Sequence, residues 1–473
     1  MSKPNSASPR FDPSRRQFLR GACCAAVGST GLLSALAQLR MMGAVAGSTS
    51  AVRSSALASD YKALVCLYLA GGNDGGNLVI PIDSASYAGY AKARSTLAVS
   101  QTGLLPIAPK KYSDGRSYAL HSSMPDLQRL FTLGKLAALG NVGTLVQPTT
   151  LNQYRGGVGL PPQLFSHSDQ TVQWQSSVPD RPFDSGWGGR LADLTDAFSG
   201  SHQISMAISV AGHNSFQVGQ TVSQLTVNAG SVPNIFLGGP SVLDVNAGPR
   251  LNALKSILGN GPDNLLSAAF ATQTKSAIDD STLLGSLLPA APTLKTSFPG
   301  SQTANELKMV ATLISLAPAL NLKRQIFFCQ LNGFDTHTAQ VMTHGPLLAE
   351  LSAALGAFYD ATVELGVANQ VTTFTASDFG RTYTANSDGS DHGWGNQQFV
   401  MGGAVQGGDI YGAMPSLAIG GPDDTGQGRW LPTTSVDEYS ATLATWFGVS
   451  PTDLPIVLPN IGRFAKPNLG FMG

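Results

Sequence analysis

Hydrophobic runs and amphipathic stretches alternate along most of the chain. The longest apolar run, over 61–70 (YKALVCLYLA), ends in a glycine-rich segment over 71–76. This pattern predicts a strand buried on both faces, followed by a loop. Further predicted elements are a helix from Pro125, a strand over 136–142, a helix over 306–320, a strand over 325–331, a helix over 346–365, a strand over 370–376 and a final helix opened by the capping box of Ser435 and Glu438.

The alternation of strands and helices predicts an α/β fold, a sandwich in which a mostly parallel central sheet has helices on both faces. Between about 200 and 300 the pattern changes to short β-like runs followed by helical stretches, which predicts an inserted cap region. Residues 59–473 are otherwise expected to form a single domain. Hydrophobic residues make up 42% of the chain, and 53 Gly and 28 Pro indicate long connections. This composition excludes global disorder and a multi-spanning membrane protein.

The N-terminus carries a targeting signal. Residues 14–20 (SRRQFLR) resemble the twin-arginine export motif and precede an uncharged stretch over 21–39. We therefore expect residues 1–58 to be a signal peptide, and the protein to be exported already folded to the periplasm or beyond. Removal of the signal peptide takes away seven of the 29 basic residues and one of the 29 acidic residues, which leaves the mature chain with a net charge of −6. No basic stripe remains, so nucleic acid is not an expected partner, and no membrane span is expected in the mature chain.

Three carboxylates follow three predicted strands. Asp74, Asp335 and Asp378 each come shortly after an apolar run, and the carboxyl ends of parallel strands meet at one edge of a sheet. Three acids brought together repel one another, so the arrangement favours a bound cation. His337 lies two positions after Asp335, and His392 stands in a loop with a following glycine, so both supply nitrogen ligands. These residues predict a site for one or two divalent ions such as zinc, manganese or magnesium.

Several motifs together resemble a known family. They are LAGGNDGGN over 69–77, SH over 166–167, GFDTH over 333–337, SDFGRT over 377–382, DHG over 391–393 and GGAV over 402–405. With the twin-arginine leader, they resemble the exported bacterial proteins of the domain of unknown function 1501 (DUF1501) family. That family is grouped with the alkaline phosphatase and sulfatase superfamily, so the resemblance implies an alkaline phosphatase-like sandwich with a two-metal site at the strand ends.

The resemblance also implies roles for the metal-binding residues. Asp335 and His337, completed by His392, resemble the ligands of one metal. Asp74 matches the first-strand ligand of the superfamily and would hold a second metal with Asp378. The spacing between Asp335 and His337 is shorter than in phosphatases of this superfamily.

Four more residues would act on the substrate. Ser166 occupies the approximate place of the nucleophilic hydroxyl, and His167 would steer it or bind metal. Arg381 or Asn73 would face the non-bridging oxygens of a phosphate or sulfate ester. Phe379 stands where the superfamily usually has a histidine ligand, which removes one donor from the second metal.

Two classes of function therefore stay open, with a third behind them. The first is an exported metal-dependent hydrolase of phosphate or sulfate esters, with a small anionic ester as substrate. It would attack either through a covalent Ser166 intermediate or through metal-bound water. The second is a non-catalytic binding or assembly protein that keeps the fold and one structural metal and has an exported protein partner. The third is a secreted sugar- or polymer-modifying partner of another exported protein.

Overall fold

The computed structural model describes residues 60–229, 247–259 and 264–473. The predicted signal peptide lies outside these residues. The strands are β1 Lys62–Ala70, β2 Val79–Pro81, β3 Leu105–Ile107, β4 Tyr118–Leu120, β5 Leu136–Gly143, β6 Ala207–Ser209, β7 Leu225–Thr226, β8 Arg324–Asn332, β9 Val371–Ser377, β10 Asn396–Gly402, β11 Asp409–Gly412 and β12 Thr434–Ser435. The α-helices are α1 Ser84–Arg94, α2 Pro125–Thr132, α3 Leu151–Arg155, α4 His167–Ser176, α5 Trp187–Thr195, α6 Ala247–Gly259, α7 Leu265–Leu287, α8 Gln302–Ser315, α9 Gln340–Glu364, α10 Val436–Phe447 and α11 Leu454–Val457.

A large mixed sheet forms the centre of the molecule. Its strand order is β11-β5-β10-β9-β1-β8-β6-β7, with β12 also paired to β5. β1 runs parallel to β8 on one side and to β9 on the other, whereas β10 is antiparallel to both β9 and β5. The interior of β1 is buried throughout, as the continuous apolar run predicts.

Helices cover both faces of this sheet. On one face α2, α8 and α9 pack together and contact β5 and β8. On the other, α4, α5, α10 and α11 form a second group, which contacts β1, β5, β8 and β9. Helix α8 shows why such helices form here, since Leu307, Val310, Ala311 and Ile314 recur at helical spacing and are all buried. The predicted fold class, a mostly parallel sheet between helices, is confirmed.

The region from about 200 to 300 differs in part from the expected separate cap. β6 pairs with β8 and β7 pairs with β6, so this stretch begins by extending the central sheet. Helices α6 and α7 then contact each other. β2, β3 and β4 form a small antiparallel sheet of their own. Within the described residues, no helix is both long enough and apolar enough to cross a membrane.

The carboxyl ends of the three central strands lie side by side. Ala70 of β1 is paired with Asn332 of β8, and Leu69 is paired with Ser377 of β9. The loop after β1 then passes very close to the loop after β8. Gly71 has φ +114°, and a Cβ atom at this position would lie 2.3 Å from the Asp335 backbone nitrogen. A side chain would clash there, so glycine is required at the point where the two loops meet.

Candidate functional site

The loops after β8 and β9 bring Asp335 and Asp378 to the same edge of the sheet. Gly71 donates its backbone N–H to Asp378 Oδ1 at 3.0 Å. Arg381 Nη1 donates to Asp335 Oδ1 at 2.8 Å and to the Gly71 carbonyl at 3.0 Å. Both carboxylates are therefore fixed against the turn that follows β1.

Three histidines surround Asp335. The Asp335 Oδ1 atom lies 3.1 Å from His337 Nε2, 3.4 Å from His167 Nε2 and 3.5 Å from His392 Nε2. One donor atom each from His167, Asp335 and His392 lie within 4.8 Å of one another, which is a group able to hold a metal ion. The donor atoms around a tetrahedral zinc ion are separated by about 3.3 Å, so the distances to Asp335 match the size of such a site.

The other ring nitrogen of each histidine faces an acceptor. His167 Nδ1 lies 2.6 Å from Asp378 Oδ2, and His392 Nδ1 lies 2.7 Å from the Phe165 carbonyl. His337 Nδ1 lies 3.3 Å from Asp391 Oδ1. Carboxylate and carbonyl oxygens only accept, so each Nδ1 carries a proton in this arrangement, and a ring that is neutral has its lone pair on Nε2. Metal-binding histidines are oriented in this way by their outer hydrogen bonds.

A cation between these Nε2 atoms would bind their lone pairs. His337 Nε2 and His392 Nε2 lie 2.8 Å apart, and in neutral rings protonated at Nδ1 both atoms are unprotonated acceptors that repel each other unless a proton or a metal ion is bound between them. Among the described residues, His167 Nε2 is buried and makes no hydrogen bond, although Asp335 Oδ1 lies 3.4 Å away. A bound metal ion would relieve both the repulsion and the missing contact, so the residues present fit a metal. His167, Asp335 and His392 form the group whose donor atoms lie close enough together, and His337 Nε2, 3.1 Å from Asp335 Oδ1, is a further candidate donor.

The pKa values of His167 and His392 are shifted in opposite directions. The hydrogen bond and charge of Asp378 raise the pKa of His167, whereas burial lowers the pKa of His392. Burial alone would raise the pKa of Asp335, but the hydrogen bond and charge of Arg381 outweigh it and leave that pKa lowered. The fully buried ring of Phe379 packs beneath His167 and His392, with centroids 4.7 and 4.6 Å away. Phe379 therefore supports the cluster without supplying a donor atom.

The site is open to solvent. The side chains of Asp335 and His337 are 48% and 42% exposed. Water and small ligands can therefore reach the cluster.

Asp74 lies in a different environment. Its side chain is 1% exposed, and its carboxylate pairs with Arg94 and accepts a hydrogen bond from Gln340. Arg94 is itself fully buried in α1. The structure therefore does not bring Asp74 into the histidine cluster, because a guanidinium already neutralises its charge. Asp378 also departs from the expected role, since its Oδ2 faces the ring of His167.

The side chains expected to act on the substrate are buried or already make hydrogen bonds to other residues of the protein. Arg381 is buried and donates to Gly71, Asp335 and Ser390, and Asn73 is completely buried and accepts from His344 Nε2 at 2.9 Å. Ser166 is the N-cap of α4, and its Oγ donates to Asp169 Oδ2 at 2.5 Å. Neither Arg381 nor Asn73 is available to a substrate in this arrangement.

Reasoning from the sequence missed the outer partners of the histidines. Asp391 and the Phe165 carbonyl orient His337 and His392, and Asp378 orients His167. Asp391 belongs to the DHG motif over 391–393, and its position next to His392 is the one feature of the sequence that points to its role. The role of the Phe165 carbonyl could not be predicted, because every residue has a backbone carbonyl and the sequence does not show which one accepts a hydrogen bond.

Part of the chain is similar to a known protein family. Residues 308–452 match the family described as "Protein of unknown function (DUF1501)". Asp335, His337 and His392 fall within this segment, and His167 lies outside it. No curated protein matches the sequence.

Solved structures with a similar fold share little sequence with the chain. The PsFucS1 sulfatase from Pseudoalteromonas sp. is 10% identical, with 87% of this chain and 70% of that chain covered and a TM-score of 0.34. The lipoteichoic acid synthase LtaP from Listeria monocytogenes is 8% identical, with coverage of 86% and 78% and a TM-score of 0.35. The soluble domain of lipooligosaccharide phosphoethanolamine transferase A from Neisseria meningitidis is 10% identical, with coverage of 86% and 95% and a TM-score of 0.33.

At this level of similarity the solved structures carry no information about chemistry. The family match is independent of them and covers four of the motifs in full, GFDTH, SDFGRT, DHG and GGAV. Over residues 308–452 the chain is therefore similar to the DUF1501 family, which agrees with the resemblance predicted from these motifs.

Proposed function

We propose that this protein is an exported, metal-dependent hydrolase of phosphate or sulfate esters with a single metal site. The observation that supports it best is the convergence of three histidine Nε2 atoms on Asp335 Oδ1, with each Nδ1 facing an acceptor. The class of ester is taken from the family resemblance. Export is taken from the arginine pair at 15–16.

The donor set favours zinc over magnesium. Imidazole nitrogens suit zinc and other borderline ions, whereas magnesium prefers oxygen ligands in octahedral geometry. His167, His337, His392 and Asp335 would hold the ion. When bound, such an ion polarises the ester oxygens and lowers the pKa of water.

The protein's own residues would hold the centre in position. Asp378 and Asp391 keep His167 and His337 in the tautomer that presents Nε2, and Arg381 fixes the carboxylate of Asp335. We assign the attack to water, because the described hydrogen bonds of Ser166 Oγ are to Ser168 and Asp169 within the first turn of α4 and not to the histidine cluster. Water adds to phosphorus or sulfur, the ester P–O or S–O bond breaks, and the alcohol leaves with a proton.

Turnover of simple esters tests this proposal. Aryl phosphates and aryl sulfates should be cleaved by the zinc-loaded protein, and a chelator should abolish cleavage until zinc is added back. Ser166→Ala should keep most of the activity if water attacks, and should lose it if Ser166 forms a covalent intermediate. An exposed variant far from the site, Asp360→Asn, is the matched control. A folded protein that binds no metal and cleaves no ester of a broad panel contradicts the proposal.

One observation favours the non-catalytic alternative. The groups expected to recognise an anionic ester, Arg381 and Asn73, are directed to the protein interior. A binding or assembly protein with one structural metal needs neither of them. This alternative predicts stoichiometric zinc and a stability that depends on zinc, with no turnover of any ester.

A further inference from the structure

The segment before α4 contacts the cluster in two ways. It supplies His167, and the carbonyl of Phe165 accepts the Nδ1 proton of His392 at 2.7 Å. Phe165 has φ +71°, a left-handed conformation that is sterically unfavourable for a bulky side chain. Its backbone N–H donates to Gln170 Oε1 at 2.7 Å. A residue in this conformation persists only where surrounding contacts hold it in place.

Arg429 supplies contacts of this kind. Its Nε donates to the His392 carbonyl at 2.7 Å, and its guanidinium lies 5.2 Å from the centre of the Phe165 ring. One side chain therefore touches both the segment that carries His167 and the loop that carries His392. Stacking of a guanidinium on an aromatic ring is attractive, and the planar group can donate a hydrogen bond at the same time.

Arg429 is itself held in a well-defined loop. Thr425 donates its backbone N–H to the Arg429 carbonyl at 3.0 Å, and Arg429 N–H donates to Gly426 at 3.1 Å. The carboxylate of Asp424 accepts from the N–H groups of Gly426 and Gly428. These hydrogen bonds fix the backbone of Arg429. Its guanidinium can therefore contact both the segment with Phe165 and the loop with His392.

We propose that Arg429 is a positioning residue for the metal centre. It keeps the Phe165 carbonyl against His392 Nδ1 and thereby directs His392 Nε2 toward Asp335. This inference rests on the proposed metal site. Without Arg429, the Phe165 backbone can relax, His392 loses its fixed tautomer, and the metal is bound less tightly. Outer contacts of metal-binding histidines typically change metal affinity by about 10- to 100-fold.

The experiment measures zinc affinity by competition with a chromophoric chelator. Arg429→Ala should bind zinc about 10- to 100-fold more weakly than the wild type. Arg429→Lys should recover part of the loss, because it can donate to the His392 carbonyl but has no planar group to stack on Phe165. Arg463→Ala removes a half-exposed arginine that contacts Asp180 and should leave the affinity unchanged. Wild-type affinity in Arg429→Ala overturns the inference.

A second readout does not depend on metal. Nitrogen NMR of the metal-free protein should show the His392 ring protonated at Nδ1 in the wild type and a mixture of tautomers in Arg429→Ala. An unchanged tautomer in that variant also overturns the inference. If Arg429→Ala does not fold, Phe165→Leu removes the stacking alone and should still weaken zinc binding measurably, and unchanged affinity there counts against the proposal. Absence of zinc binding in the wild type contradicts the proposed function, and the tautomer of His392 then decides the role of Arg429 separately.

Discussion

Asp74 and Asp335 occupy equivalent places in the sequence and opposite environments in the structure. Each follows a central strand by a few residues, and β1 and β8 are neighbours. Asp74 is buried with Arg94 and Gln340, whereas Asp335 is half exposed among three histidines. The position after a strand brings a carboxylate to the edge of the sheet, and side chains from other elements decide what it does there.

The partners of the two carboxylates explain why Asp335, and not Asp74, is a candidate metal ligand. Asp74 pairs with a guanidinium on α1, and such a pair is complete without a metal. Asp335 also contacts a buried arginine, Arg381, but its other neighbours are three histidine Nε2 atoms. In neutral rings protonated at Nδ1 these atoms carry lone pairs, so a cation can bind them together with the carboxylate.

The largest expected effect concerns the buried pair. Asp74→Ala leaves Arg94 buried without its counter-charge, so the free energy of unfolding should fall by about 3–5 kcal/mol. Denaturant unfolding measures it. Asp360→Ala breaks an exposed pair with Arg129 and should cost less than about 1 kcal/mol. Equal effects of the two substitutions would show that burial does not distinguish them.

The second prediction concerns the open site. Asp335→Asn keeps an acceptor for Arg381 and removes the charged ligand, so zinc affinity should fall by more than about 100-fold, beyond the effect of losing an outer contact. Isothermal titration of the metal-free protein with zinc measures this. Stability without metal should fall by less than in Asp74→Ala, because Asp335 is half exposed and the asparagine keeps an acceptor for the buried Arg381. Undiminished zinc binding in this variant would remove Asp335 from the site.

The third prediction separates the outer contacts by their strength. Asp378→Asn should weaken zinc binding by about 10- to 100-fold, because Asp378 lies 2.6 Å from His167 Nδ1. Asp391→Asn should have the smaller effect of the two, since its contact with His337 Nδ1 is 3.3 Å long. The same titration compares both variants, and the reverse order would contradict the assignment of these contacts.

The fourth prediction uses a third carboxyl group. Asp437 is fully buried in α10, and one of its oxygens has no hydrogen-bond partner among the residues that the structure describes. Arg190 is nearby, but its guanidinium donates to backbone carbonyls of Val457, Ser185 and Ser176. Burial therefore raises the pKa of Asp437 to about 8.

The sign of the pH effect follows from this pKa. Between the ordinary pKa of about 4 and the raised value, Asp437 is protonated in the folded protein and ionised in the unfolded chain. Unfolding then releases a proton, so stability should fall as pH rises through this window, by up to about 1.4 kcal/mol per pH unit. Asp437→Asn should lose this slope and be more stable than the wild type at pH 8. Denaturant unfolding at pH 5 and pH 8 measures the difference, and parallel pH profiles would contradict it.

Periodicity was sufficient for the main elements because buried strands and amphipathic helices have strong patterns. Helix α9 is an exception, since it begins at Gln340 and contains Pro346, which the pattern placed at its start. The strand ends likewise predicted that Asp335 and Asp378 would approach one another. Three of the four donors in the cluster, Asp335, His337 and His392, were among the predicted metal ligands.

The rest of the site depends on contacts between distant segments. Asp74 and Arg94 are 20 residues apart, and nothing in their spacing indicates that a helix directs the arginine back to the carboxylate. His167 was weighed as either a steering residue or a ligand, and only its orientation toward Asp335 favours the second role. Arg429 had no motif at all, because its contacts are with a backbone carbonyl and the face of a ring.

Crystals of the protein loaded with zinc directly test whether His167, His337, His392 and Asp335 bind the ion. Anomalous scattering at the zinc edge locates the ion without reference to the protein atoms. We expect one strong peak, between the Nε2 atoms of His167, His337 and His392 and the carboxylate of Asp335. A peak beside Asp74, or the absence of any peak among these four residues in a folded protein, would contradict it.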